Sequence, residues 1–384
     1  MSSKIFLVLT LLLLFFFAAH GAQAAKEEES FGCIIIIDGL RGDKALEHAL
    51  DGTMPTVKEL FVDKGIWVNK AVAVAPSITG AALTSIVTGA YPGRHNLPSL
   101  TWFDRYEQKY YDLYALRDAF KFNKLLDKNR TRTIFEFFSG AHDTWSFGLP
   151  VYRGADNAVS IAWTFGYQPF VYRIRFSVAL RSLRKLLLGT PSPRLTVAYS
   201  GWFDHNEHEL GVDPPEMVEH YEGVDWMVSK TMELYRDCGI LDKTYFILVS
   251  DHGQEEFDKR VDTWAHFGAQ VPTFRPKWLE IPFVDHPWTV KEPDSYKDFV
   301  AVIPATDAKA FVYVAGPGTK PSWNLKPTLE QLRNYPHEGR HVDFVAEAVN
   351  WQPVALCAAA DKLAGTVHVY AAQGAEGIIS RVQT

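Results

Sequence analysis

Two kinds of apolar pattern alternate along the chain. Residues 33–37 read Cys-Ile-Ile-Ile-Ile, an unbroken and largely β-branched run without polar alternation, which is the pattern of a strand covered on both faces and so of a parallel sheet. Two further runs of this type occupy 195–199 and 245–249. Between the runs apolar residues recur three or four apart, notably over 56–64 and 217–235, a spacing that predicts helices. Strands alternating with helices predict an α/β fold over residues 32–384: a doubly wound, largely parallel central sheet with helices on both faces. The stretch 103–194, rich in aromatic and basic residues, reads as an insertion that shapes a pocket. A last strand-like run lies at 367–370.

The N-terminus departs from this alternation. Residues 1–25 carry a single charged side chain, Lys4, then a run from 5 to 19 that is apolar except for Thr10, and small residues around Ala22 and Ala24. That is the layout of a secretory signal peptide, and the run is short against the roughly 20 residues that span a bilayer. The expectation is a secreted or periplasmic protein. A polar joint, Lys26-Glu27-Glu28-Glu29-Ser30, separates this segment from the first strand.

Composition narrows the reading. At 384 residues and 47% hydrophobic, the chain can build one large core without splitting in two. A net charge of −6 argues against a broad basic surface for nucleic acid, so a small anionic substrate would need positive charge concentrated locally. Cys33, Cys238 and Cys357 show neither the spacing of a disulfide framework nor that of a structural zinc site and read as buried filler. Asn129-Arg130-Thr131 is a glycosylation sequon.

Polar residues collect directly after the strands, where ligands bind in open α/β sheets. Asp38 and Gly39 follow the first run. After the second, Asp204 and His208 stand four apart, on one face if the segment is helical. A carboxylate with an imidazole there suits zinc or a similar divalent ion. His205 and Glu207 are offset from that face and read as supporting or exposed residues. After the third run, Asp251 and His252 precede Gly253, which lets the backbone bend away. A fourth segment begins at Pro76 and leads through small residues into a predicted helix over 80–87. It puts Thr79 at or beside a helix N-terminus, where free N–H groups favour an oxyanion and a hydroxyl is placed to attack phosphorus. The alternative is that Ser77 or Thr79 serves as an N-cap, and the two roles are compatible.

In this order, strand-end Asp-Gly, Pro-Ser-Ile-Thr over 76–79, Asp-x-x-x-His over 204–208 and Asp-His-Gly over 251–253 resemble the nucleotide pyrophosphatase and phosphodiesterase branch of the alkaline phosphatase superfamily. The resemblance is specific from residue 32 to 252 and weaker beyond. It implies hydrolysis of phosphate mono- or diesters with a small phosphate ester as substrate, Thr79 as nucleophile, and two divalent metal ions, zinc being expected. Asp38, Thr79, Asp251 and His252 would hold one ion; Asp204 and His208 would hold part of the other.

The chain departs from the family pattern in three respects. No His-Gly pair follows Gly253 to complete the second metal, leaving His266, His286, His337, His341 and His368 as candidates. The chain stops at Thr384, so the missing element is expected beyond that end. Gly80, Ala81 and Ala82 follow Thr79 where many relatives place an Asn against the phosphoryl oxygens. These departures keep open a relative that binds metal or ligand without turnover. Sulfate-ester hydrolysis is disfavoured, because the Cys/Ser-x-Pro-x-Arg setting of sulfatases does not surround Thr79.

Overall fold

The structure is a computed structural model. It describes residues 30–256 apart from 69–70, 106, 114, 116, 118–120, 130, 139–142, 160–168 and 190–191, together with 272–280, 287–299, 301–303, 310–315, 323, 342–347 and 354–358. Residues 1–25, which carry the signal pattern, and the run 367–370 lie outside the described residues.

The three apolar runs are neighbouring strands. β1 (Phe31–Ile37) pairs in parallel with β6 (Leu195–Ser200) on one side and β7 (Thr244–Val249) on the other. β4 (Thr144–Phe147) and β5 (Asn157–Val159), both within the 103–194 stretch, extend the sheet in parallel beyond β6, giving the order β5-β4-β6-β1-β7.

Alternation along β1 explains why so apolar a strand is needed. Cys33, Ile35 and Ile37 enter one core, Ile34 and Ile36 the other. The first core is closed by α1 (Gly42–Asp51), α3 (Pro169–Leu187), the start of α4 (Trp202–Leu210) and α5 (Val218–Asp237). The second receives Leu83 and Val87 of α2 (Thr79–Thr88). It also takes in the hairpin of β2 (Thr101–Asp104) and β3 (Lys109–Asp112), and Phe274, Val302 and Tyr313 from a smaller sheet of the C-terminal part. Helices therefore cover both faces of a parallel sheet, as the sequence pattern predicts.

Two local expectations change. β7 lies at the edge of the central sheet among the described residues, and Tyr245 and Ile247 on one of its faces are exposed. An apolar run therefore did not imply cover on both faces here. Over 56–64 the regular helix is replaced by one α-turn, Pro55–Val57, widening into a π-helix, Lys58–Asp63. There the Lys64 N–H reaches back to Glu59 O at 3.2 Å, and Asp225 Oδ1 accepts the Val57 N–H at 2.8 Å. Apolar spacing alone does not distinguish a turn of 3.6 residues from a wider one.

The helix that carries Thr79 is tied down by a buried histidine. His95 Nδ1 accepts the Leu97 N–H at 3.2 Å, which assigns the ring proton to Nε2, 3.0 Å from Ser85 Oγ on α2. Burial holds this imidazole neutral, lowering its pKa to about 3. Because the folded pKa lies below the ordinary 6.5, the contribution is complete above pH 6.5 and shrinks as pH falls from there toward 3. The stability difference between wild type and His95→Gln should thus be flat above pH 6.5 and decline below it by up to about 1.4 kcal/mol per pH unit. Urea titrations across pH check this; a difference unchanged down to pH 4 would mean that the ring is not held neutral.

Candidate active site

Parallel pairing puts the carboxyl ends of β1, β6 and β7 on one edge, with Ile37 opposite Ser200 and Ile36 opposite Val249. The polar residues that follow these strands converge there. The Asp38 N–H carries the ladder one step further, to Ser200 O at 2.9 Å. Gly39 then turns with φ +75°, and a Cβ in its place would fall 2.9 Å from Asp204 Oδ1 and 3.1 Å from Asp204 Cα. Only glycine lets the first motif approach the third this closely.

Asp38, Asp251 and His252 form a group in which one ligand atom from each lies within 4.8 Å of the others. His252 Nε2 is 3.4 Å from Asp38 Oδ1 and 3.6 Å from Asp251 Oδ2. Its other nitrogen, Nδ1, lies 3.3 Å from Gly253 O. Nδ1 is thus within reach of a carbonyl, and Nε2 is the nitrogen turned toward the carboxylates. Asp251 Oδ1 accepts the N–H groups of Gly39 at 3.3 Å and His252 at 3.0 Å, whereas the buried Oδ2 has no hydrogen-bond partner among the described residues.

Burial raises the Asp38 carboxyl well above the usual range, and the charges of Asp251 and Asp204 push the same way. Burial likewise raises Asp251 to about 7, with Asp204 adding to the effect. Two buried carboxylates whose ionisation is opposed by burial and by the Asp204 charge, one of them with an oxygen that no described residue hydrogen-bonds, beside an imidazole nitrogen, are a donor set that fits a divalent cation.

Thr79 meets this cluster from α2. It is the first residue of α2; the N-cap is Ile78, which makes no side-chain cap bond, so the Thr79 hydroxyl is not consumed by the N-cap role. Thr79 Oγ1 stands 3.1 Å from His252 Nε2 and donates toward Asp38 Oδ1 at 3.5 Å. The first intrahelical bond runs from the Ala82 N–H to Ile78 O, so the N–H groups of the preceding turn point out of the helix end beside this hydroxyl. Gly80 is packed tightly: a Cβ there would meet Ser99 O at 2.8 Å.

Asp204 and His208 lie on one face of α4 as their spacing predicts, with His208 Nε2 3.5 Å from Asp204 Oδ2 and the imidazole 53% exposed. The Gln254 amide donates to Asp204 Oδ1, and to Asp204 O at 3.1 Å, joining the third motif to the fourth. His266, His286, His337, His341 and His368, the candidates to complete this pair, lie outside the described residues.

Glu207 is 2% exposed, and neither of its oxygens has a hydrogen-bond partner among the described residues. Burial, helped by the nearby Asp204 charge, raises its pKa to about 8. Of its two sequence readings, exposure is excluded. Sequence reasoning missed Tyr199 and Gln254. Tyr199 sits in an apolar strand and reads as core, and Gln254 has no motif signal; only the hydroxyl in a buried run, which needs a partner, could have flagged the tyrosine.

The model of the family "Type I phosphodiesterase / nucleotide pyrophosphatase" matches residues 33–343, which spans all four motifs and most of the chain. The chain belongs to this family. Among its relatives are an uncharacterized pyrophosphatase/phosphodiesterase of Schizosaccharomyces pombe, 25% identical over 64% of this chain and 49% of the relative, and ectonucleotide pyrophosphatase/phosphodiesterase family member 1 of Rattus norvegicus, 25% identical over 57% of this chain and 23% of the relative. The chain thus spans about half the length of the first and about a quarter of the second. In fold it resembles murine ectonucleotide pyrophosphatase/phosphodiesterase 5, solved as an inactive threonine-to-alanine variant in complex with AMP. The TM-score is 0.56 at 16% identity, over 86% of this chain and 79% of that one. Membership agrees with the resemblance read from the sequence and makes the fold alkaline phosphatase-like.

Proposed function

We propose that this chain is an exported, metal-dependent hydrolase of phosphate mono- or diesters with Thr79 as nucleophile. The observation that carries the reading is the convergence of the Thr79 hydroxyl, at the free end of a helix, on the buried group of Asp38, Asp251 and His252. In this reading those residues hold one divalent ion, and Asp204 and His208 hold part of a second, with zinc expected from the mixture of carboxylate and imidazole donors. Ions bound there would supply Lewis acidity and neutralise charge at the attacking and leaving oxygens.

The chain's own groups account for the rest. Thr79 Oγ1 forms a bond to phosphorus while the ester P–O bond opposite it breaks, and the leaving group departs with that electron pair. The hydroxyl proton has Asp38 Oδ1 within reach. The outward N–H groups of the first turn of α2 face the phosphoryl oxygens. Water then attacks the phosphothreonine, its P–O bond to Thr79 breaks, and the threonine recovers its proton. The AMP held by the murine relative makes a nucleotide ester the first substrate class to test. Among the described residues no helix is long and apolar enough to cross a membrane, and export rests on the signal pattern of residues 1–25.

Metal analysis of the purified protein, with assays on bis(p-nitrophenyl) phosphate and p-nitrophenyl phosphate, tests the reading. The expected result is turnover that a chelator removes and zinc restores. Turnover indifferent to chelation would defeat the metal-dependent reading, and tightly bound metal without turnover on any phosphate ester would favour a relative that has lost catalysis.

A further inference from the structure

We propose that Tyr199 is a positioning residue that fixes the orientation of the Asp38 carboxylate, so that one of its oxygens stays turned toward Thr79. The inference rests on the reading of Asp38 and Thr79 as active-site residues, and the geometry divides the work of the carboxylate cleanly. Asp38 Oδ2 accepts the Tyr199 hydroxyl. Asp38 Oδ1 is the oxygen that lies 3.5 Å from Thr79 Oγ1 and 3.4 Å from His252 Nε2. With Oδ2 engaged from inside the core, the carboxylate is held in one rotational state and Oδ1 is presented to the site. Without the phenol, the terminal torsion of an aspartate is broad and roughly two-fold, so the carboxylate would be free to turn.

A second observation comes from the backbone. Tyr199 lies on β6 opposite Ile36, and its ring packs in the core shared with α2 and the hairpin. To reach Asp38 its hydroxyl passes over Gly201, where a Cβ would fall 2.8 Å from the phenolic oxygen. The absence of a side chain at 201 thus leaves the space that the hydroxyl occupies. A tyrosine serving only as filler would require neither that gap nor an acidic partner.

Tyr199→Phe keeps the ring and removes the hydroxyl, and Gly201→Ala crowds the phenol while leaving it present. Outer partners of metal-binding groups typically contribute about 10- to 100-fold in affinity or activity. Calorimetric titration of zinc into metal-free Tyr199→Phe should therefore show the tighter ion weakened by that factor. In the assays above kcat should fall while KM and the thermal midpoint of the metal-free protein stay near wild type. A crystal structure of metal-free Tyr199→Phe should show the Asp38 carboxylate turned away from Thr79. An Asp38 orientation unchanged in that crystal structure overturns the proposal whether or not the wild type binds zinc or turns over. Absence of zinc binding and turnover in the wild type, with a rotated Asp38 in the variant, would instead defeat the proposed function and leave the positioning role standing.

Discussion

Thr79→Ala is expected to lose turnover by on the order of 10^3-fold or more, while folding normally and retaining at least one metal site. Removing a nucleophile leaves only binding and charge stabilisation, which is why such losses are large. The fold should not notice the change. The Thr79 hydroxyl does not serve the N-cap role, Ile78 being the N-cap, and its contacts are with Asp38 and His252. Alanine is a good residue within a helix, and Asp38, Asp251 and His252 remain as donors. Initial rates on bis(p-nitrophenyl) phosphate, thermal melts and metal analysis of the variant read these three quantities separately. Near wild-type activity would remove Thr79 from the mechanism and bring forward Ser77.

Zinc should bind the metal-free protein in two steps, with the second ion at least tenfold weaker, a difference of about 1.4 kcal/mol or more. Asp38, Asp251, His252 and Thr79 surround the first position, whereas Asp204 and His208 alone are assigned to the second. Catalytic zinc sites usually have about three protein ligands and a water. The pair is also less ready to bind: Asp204 Oδ1 is already engaged by Gln254, and His208 is half in solvent. A chelator should strip the weaker ion first. Two ions of equal, tight affinity in a calorimetric titration would show that a further residue completes the second position, and alanine replacement of His266, His286, His337, His341 and His368 one at a time would identify it.

Much of this arrangement was legible in the chain. Unbroken apolar runs at 33–37 and 195–199 required cover on both faces, and that requirement implied a parallel sheet with helices on either side. In a parallel sheet all strands finish on one edge, so Asp38, Asp204, Asp251 and His252, each just beyond a strand, had to gather there. Thr79 was legible as a helix start because small residues follow Pro76. Periodicity reports which face of an element is buried; it does not say what lies against that face. The order β6-β1-β7, which brings Asp204 against Gly39, is a matter of long-range pairing. So are the edge position that leaves Tyr245 exposed and the membership of β4 and β5 in the central sheet. The hydroxyl of Tyr199 and the amide of Gln254 acquired their partners only because residues 161 and 50 positions away in the chain were carried to them. Sequence determined the donors and the ends of the strands on which they stand; tertiary structure alone decided which oxygen of each donor is engaged from behind and which is left facing the site, because that depends on neighbours that no local pattern encodes.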